Sequence, residues 1–165
     1  MCATRRYSYE IKALQPFREV ISRRHLSSHR GQSAGNRIVI HGNLYFQFGD
    51  LRVPTPTGNI IVEVESAGGI TNLAKYWYCF ENQLIDGRVD LVHLFLQSAP
   101  GDYGSHLAVW DLLAREMLRR YSIRFSACRF TYRTERLRRD MRPAVEYFQR
   151  LLDQASTLVT RDPAR

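Results

Sequence analysis

The chain has 165 residues and a formal net charge of +8, and this length fits one domain with a sizeable core. It contains no apolar run of about 18 residues, and no apolar segment follows the N-terminal arginines, so we expect neither a membrane partner nor a secretory signal. The three cysteines are scattered and odd in number, which excludes a disulfide framework or zinc cluster and favours an intracellular, cytoplasmic location.

The positive charge is almost entirely arginine, with lysine only at Lys12 and Lys75. A basic surface is typical of a protein that binds nucleic acid. Arginine suits phosphate recognition because its planar fork can donate to two phosphate oxygens at once. A basic protein without a polyanionic partner is the alternative.

Periodicity and turn residues divide the N-terminal half into a helix, a loop and several strands. In the helix, Pro16 marks either a kink or the true start. The strand-rich stretch contains two short strands or one long bent strand, and Thr-Pro-Thr-Gly has the chemistry of a turn. The predicted elements are the helix 7–28, the loop 27–35, the strand region 37–53, the turn 55–58 and the strand 59–65.

The C-terminal half alternates helices with strands. Gly68 and Gly69 break the chain before the next helix, and Pro143 limits or interrupts the last one. The nearly continuous apolar run at 89–97 is typical of a central strand buried on both faces. The predicted elements are the helix 70–84, the strand 89–97, the helix 105–121, the strand 123–132 and the helix 134–158.

This element order predicts an α/β fold with a mixed central β-sheet flanked by helices. The segment 60–97 should form a right-handed crossover between two parallel strands. Neither a repeat nor an interdomain linker is evident, so we expect a single domain over residues 1–165.

Three carboxylates are predicted to meet on one patch of this sheet. If residues 55–58 form a tight turn, paired positions in the hairpin sum to 113, and Asp50 falls opposite Glu63. Directly opposed side chains have Cβ atoms about 4.5–5.5 Å apart. Glu65 shares the face of Glu63 because strand side chains alternate.

Three acids this close repel one another at neutral pH. Mg²⁺ would relieve the repulsion, since it prefers oxygen ligands from one or two carboxylates together with water and substrate phosphate. An ordinary half-exposed acidic strand is the alternative, and a slip of one residue in register would move Asp50 to the other face.

Asp50, a short gap and then Glu63-Val64-Glu65 on the next strand resemble the motif of the PD-(D/E)XK, or restriction-endonuclease-like, nuclease superfamily. The order of helix, hairpin, helix and strand over about residues 7–97 is similar to that superfamily's core, with 98–165 as C-terminal additions. The resemblance implies a DNA endonuclease that uses Mg²⁺, or Mn²⁺ as a substitute. Asp50 and Glu63 would bind the metal, and Glu65 would orient or deprotonate the attacking water.

The chain departs from the superfamily pattern at two positions. Gly49 replaces the proline before the aspartate, and Glu65 stands where the catalytic lysine is expected. Some members resemble this chain in carrying an acidic residue there. In other members the following helix supplies a lysine, and in this chain that helix carries Lys75. We therefore predict that Lys75 stabilises the negative charge that develops at the phosphate. Asn72 shares its helix face and is predicted to contact nucleic acid; a surface position for Lys75 is the alternative.

The densest basic cluster follows the last predicted strand and is the predicted contact surface for the phosphate backbone of DNA. A solvated face with partial pairing to Glu135 and Asp140 is the alternative. The densest cluster consists of Arg133, Arg136, Arg138, Arg139 and Arg142. A second basic patch consists of Arg23, Arg24 and Arg30.

Other side chains are weaker candidates. Glu10 lies on the first helix, where some nucleases of this type carry another carboxylate, and Gln97 ends the central strand at the rim where such sites form. His93 is interpreted as a core histidine. The aromatic residues of the second helix are interpreted mainly as core or dimer-interface residues: Tyr76, Trp77, Tyr78 and Phe80.

Two rival functions stay open. The missing motif lysine favours a nuclease-like fold that binds DNA or RNA without cutting it. The basic face would also fit a structural subunit of a nucleoprotein complex. Cleavage of both strands of DNA would favour a homodimer with twofold symmetry.

Overall fold

A computed structural model describes residues 3–66, 71–99 and 104–160, with side-chain positions except at residues 3–8, 71, 138, 139 and 158–160. The helices are α1 (Ala3–Arg23), α2 (Thr71–Glu81), α3 (Gly104–Arg120), α4 (Leu137–Asp140) and α5 (Arg142–Thr160). The strands are β1 (His29–Arg30), β2 (Arg37–His41), β3 (Leu44–Gln47), β4 (Leu51–Thr55), β5 (Gly58–Glu65), β6 (Arg88–Gln97) and β7 (Phe125–Arg133). The predicted break at Gly68 and Gly69 lies outside the described residues.

Five strands form one mixed sheet in the order β1-β4-β5-β6-β7. β4 is antiparallel to β5, and β5, β6 and β7 are parallel. Pairing in the β4–β5 hairpin runs from Leu51 opposite Val62 to Thr55 opposite Gly58, which is the predicted register. Gly58 has a φ of +154°, and a side chain there would collide with the backbone of Arg88 on β6. Glycine therefore permits the tight start of β5.

Helices cover both faces of the sheet. On one face α1 and α5 pack together, with the rings of Phe17 and Phe148 edge to face at 5.3 Å. On the other face α2 and α3 pack on a second apolar cluster. Alternate residues of β5 divide between the two, with Val62 in the first cluster and Ile61 in the second. The predicted mixed α/β sheet is therefore confirmed, and so is the burial of the central strand β6 on both faces.

The region 37–53 forms three strands, so the prediction of one or two was wrong. β2 and β3 pair only with each other, as a separate two-stranded sheet. Gly42, with a φ of +54°, lies in the turn between them. The loop predicted at 27–35 contains the short strand β1, which pairs with Arg52 and Leu51 of β4. Two residues carry no periodic signal, and β1 is a strand only because its partner is present.

Two prolines have different consequences. α1 continues through Pro16 and ends at Arg23, so Pro16 is not its start and the helix is shorter at its end than predicted. The last predicted helix is divided into a 3-10 turn (Thr134–Arg136), α4 and α5. Pro143 is the second residue of α5, where the N–H groups have no intrahelical partner and proline is tolerated.

None of the helices in the described part of the chain is long and apolar enough to cross a lipid bilayer.

Candidate functional site

Asp50 lies immediately before β4, where one further step of the hairpin register places it opposite Glu63. Its Oδ2 accepts a 2.7 Å hydrogen bond from the Val64 N–H, so the carboxyl group reaches the backbone of β5. The negative charge of Glu63 contributes to a raised pKa of Asp50. The structure thus brings these two predicted carboxylates together.

Glu63 is a buried carboxylate with an exposed fraction of 3%. Lys75, on α2, donates a hydrogen bond to its Oε1 over 2.6 Å, and the two side chains are only 10% and 4% exposed. Lys75 is therefore not a surface lysine. The helix that follows β5 places an ammonium group against the carboxylate of Glu63.

Tyr76 is the neighbour of Lys75 and is fully buried. Its hydroxyl lies 2.8 Å from Glu63 Oε1 and also contacts the carbonyl oxygen of Phe48. Burial, followed by the charge of Glu63, raises the pKa of Tyr76 well above its usual value. The phenol therefore keeps its proton and acts as a hydrogen-bond donor at neutral pH.

The pKa of Asp50 is raised to about 7. Burial is the main cause, and the negative charges of Glu63 and Glu10 add to it. The Val64 N–H and the charge of Lys75 act in the opposite direction. A divalent cation bound here would favour the charged form of Asp50.

Glu10 faces the site from α1, and its Oε1 accepts a hydrogen bond from the Ser66 hydroxyl. It and Asp50 both line a groove of about 570 Å³ between α1 and the β1–β4 edge of the sheet. We call this cavity the α1 groove; its lining also includes Leu14, Arg18, Arg30 and Leu51. The groove gives solvent and ligands a route to Asp50.

The other predicted polar residues lie around this centre. Glu65 is the last residue of β5, two positions beyond Glu63, and is partly buried. Asn72 lies in the first turn of α2 and is partly buried. Gln97 ends β6 and pairs in register with Arg133 of β7. Because β5, β6 and β7 are parallel, all three strands end at the same edge of the sheet.

The predicted arginine cluster begins at that edge, and two of its five arginines form ion pairs on the surface. Arg133 contacts Glu135 at 3.4 Å, and Arg142 contacts Glu146 at 2.7 Å. Arg136 is exposed. The side chains of Arg138 and Arg139 lie outside the described residues. In the second patch, Arg24 pairs with Asp153 at 2.6 Å.

Sequence analysis missed two groups that hold the site together. The Val64 N–H fixes Asp50, and the Tyr76 hydroxyl fixes Glu63; α2 has several aromatic residues, and its pattern does not tell which one faces the acids. His93 is buried as predicted and lies beside Glu63 in the β5–β6 register. Its Nδ1 accepts a 2.9 Å hydrogen bond from Trp110 Nε1, and burial lowers its pKa to about 3. His93 is therefore neutral.

The donor atoms of this site would supply part of the coordination shell of a hard divalent cation. Asp50 and Glu63 supply two carboxylates, which is the number that Mg²⁺ commonly takes from a protein. Among the described side chains, no group of three or more histidine, cysteine, aspartate or glutamate residues has metal-binding geometry. A metal held here would complete its shell with water and substrate oxygens.

Comparison of the chain with protein-family models, curated proteins and solved structures finds no match.

Proposed function

We propose that this protein is a metal-dependent DNA endonuclease with a restriction-endonuclease-like core. The observation that carries the proposal is the contact between Lys75 Nζ and Glu63 Oε1 at 2.6 Å, beside the carboxyl group of Asp50. A buried ammonium paired with a buried carboxylate, with a second carboxyl group nearby, is a costly arrangement for stability alone. These groups suit metal-assisted phosphodiester hydrolysis.

The element order supports the same proposal. A helix, an antiparallel strand pair, a crossover helix and a parallel strand follow one another in α1, β4–β5, α2 and β6. The acidic residues lie at the start of β4 and the end of β5, and Lys75 comes from the crossover helix. This is the arrangement that the resemblance to the PD-(D/E)XK superfamily implies, with the lysine moved from the strand to the helix.

Each residue has a chemical role in the proposed reaction. Asp50 and Glu63 would hold Mg²⁺, which supplies Lewis-acid polarisation of the phosphate and a bound water of lowered pKa. Lys75 places positive charge near the oxygens that become more negative during attack. Glu65 orients the attacking water or accepts its proton. Tyr76 and the Val64 N–H fix the two carboxylates in position.

A DNA- or RNA-binding module without catalysis is the second candidate, and one observation favours it. Glu63 already has two donors, Lys75 and Tyr76, and is almost fully buried. A carboxylate in this state is compatible with a purely structural role. The two candidates share the basic surface and differ in whether cleavage occurs.

The test is cleavage of supercoiled plasmid in Mg²⁺ or Mn²⁺, with EDTA as the metal-free condition. We expect the wild type to nick or linearise the plasmid, and Asp50→Asn and Glu63→Gln to be inactive. Asp111→Asn is the matched control, since Asp111 is a carboxylate paired with Arg129 on the surface of α3, and it should cut like the wild type. Binding of DNA without any cleavage by the wild type would replace the endonuclease with the binding module.

A further inference from the structure

We propose that the α1 groove binds the phosphate backbone of one DNA strand and leads it to the carboxylates, with Arg18 and Arg30 as the phosphate contacts. This inference rests on the proposed function, because it assigns the substrate path of the same site. The groove continues into an adjoining cavity of about 260 Å³, which shares Arg18, Arg30 and Leu51 with it.

The spacing along α1 suits a strand of nucleic acid. Glu10, Leu14, Arg18 and Ser22 are four residues apart, so they follow one another along a single stripe of the helix. Glu10, Leu14 and Arg18 line the groove, and Ser22 lines the adjoining cavity. A rise of 1.5 Å per residue places Arg18 about 12 Å from Glu10 along the axis. A strand of nucleic acid could therefore meet Glu10 and Arg18 through different phosphates along its length.

The opposite wall carries the second arginine. Arg30 in β1 pairs in register with Leu51, the residue after Asp50. Arg18, on α1, and Arg30, on β1, both line the groove and the adjoining cavity. A strand with one phosphate at the carboxylates would bring neighbouring phosphates between the two guanidinium groups.

The absence of an acidic partner distinguishes these two arginines from several others of the chain. Arg18 and Arg30 are both exposed, and no carboxylate in the described part of the chain pairs with either. Arg24, Arg129 and Arg142 are each paired with an acid of the chain. Arg18 and Arg30 can therefore bind phosphate without first breaking an ion pair, and each can donate to two oxygens.

The experiment measures binding of a short fluorescent single-stranded DNA in EDTA, where no cleavage occurs, over a range of salt concentrations. The test protein is the full chain with Arg18→Ala and Arg30→Ala together. The matched control is Arg115→Ala with Arg119→Ala, which removes the same charge from α3, where both arginines contact Glu116. Circular dichroism and thermal unfolding establish that each variant is folded.

We expect the slope of log affinity against log salt to be about 1.4 less negative for the groove variant than for the wild type. This change corresponds to two lost phosphate contacts at about 0.7 each. The control should keep the wild-type slope. Equal slopes for the groove variant and the wild type would contradict the proposal that the α1 groove binds DNA. An equal change of slope in both double variants would contradict it as well. Plasmid cleavage measured in parallel separates the two proposals. If the wild type cuts DNA but the salt slopes are equal, only the groove proposal is contradicted. If the slopes differ as expected but the wild type never cuts DNA, only the endonuclease proposal is contradicted.

Discussion

Two ion pairs of almost the same length have opposite environments in this protein. Lys75 and Glu63 lie 2.6 Å apart with side chains 10% and 4% exposed. Arg142 and Glu146 lie 2.7 Å apart with side chains 85% and 47% exposed. Water screens the second pair and is excluded from the first. The distance between charged atoms therefore says little about what a pair does, and burial decides it.

The comparison also indicates where chemistry is to be expected. An exposed pair such as Arg142–Glu146 contributes little to the free energy of unfolding. A buried pair is often no more stabilising than apolar residues of the same size. Lys75–Glu63 is therefore poorly explained by stability, and its place beside Asp50 favours a role in function.

The largest expected effect is on stability when one partner of the buried pair is removed. Glu63→Leu would leave the ammonium of Lys75 in an apolar environment, and we expect it to lower the free energy of unfolding by about 3–5 kcal/mol. Glu146→Leu, at the exposed pair, should cost less than about 1 kcal/mol. Urea unfolding at pH 7 in EDTA measures both. Equal losses would mean that burial does not separate the two pairs.

Neutralising Asp50 should raise the free energy of unfolding, whereas removing one partner of the buried pair should lower it. The pKa of Asp50 is about 7 in the folded protein against a usual 3.8, so its contribution to stability is full below about pH 4 and is lost as the pH rises to about 7. Asp50→Asn removes this loss and should raise the free energy of unfolding at pH 8 by up to about 4 kcal/mol, at about 1.4 kcal/mol per pKa unit. It should change little below pH 4.

Asp111→Asn is the control of opposite sign for that measurement. Its hydrogen bonds from Arg129 lower the pKa of Asp111, so the charged form stabilises the fold above its usual pKa and this contribution is lost as the pH falls. The variant should therefore be slightly less stable than the wild type at pH 8. Urea unfolding between pH 4 and pH 8 in EDTA compares the two, and a loss of stability in Asp50→Asn at pH 8 would contradict the assigned burial of that carboxyl group.

A smaller effect is expected from Tyr76→Phe. The substitution leaves one acceptor, Glu63 or the Phe48 carbonyl, without its buried donor, and an unsatisfied buried group costs about 1–3 kcal/mol. Tyr78→Phe, at a side chain that is 44% exposed on the same helix, is the control and should be neutral within error in urea unfolding. The two variants tell whether the hydroxyl belongs to the buried polar network.

The smallest effects should come from the surface arginines. Arg133→Ala, Arg136→Ala and Arg142→Ala should each leave stability nearly unchanged. If the cluster contacts duplex DNA, each substitution should make the slope of log affinity against log salt about 0.9 less negative. Fluorescence anisotropy with a short duplex measures the slope. If all three slopes are unchanged, these arginines belong to a solvated surface that does not contact duplex DNA.

The sequence predicts those parts of the site that depend on local pairing. The turn at 55–58 and the alternation of β5 determine the hairpin register, and with it the meeting of Asp50 and Glu63. The position of Lys75 follows from its place in the first turns of the helix after β5. These relations involve short sequence separations, so residue spacing contains them.

The parts that could not be predicted depend on packing between distant segments. β1 forms only against β4, and Tyr76 is selected from an aromatic run by the way α2 lies on the sheet. Glu10 reaches the site because α1 crosses the face of β5, where the chain separation from Ser66 is large. The α1 groove likewise joins residues of α1 and β1 that no periodicity connects.

The most direct test of the central claim is the rate of DNA cleavage in a single turnover, with enzyme in excess, for Lys75→Met against Arg119→Met. Both substitutions remove a cation that contacts a glutamate, one in a buried pair and one in an exposed pair. With DNA affinity in EDTA unchanged, we predict a rate about 10²- to 10³-fold lower for Lys75→Met and a wild-type rate for Arg119→Met. A folded Lys75→Met protein that cuts DNA at the wild-type rate would contradict the catalytic role of the buried ammonium.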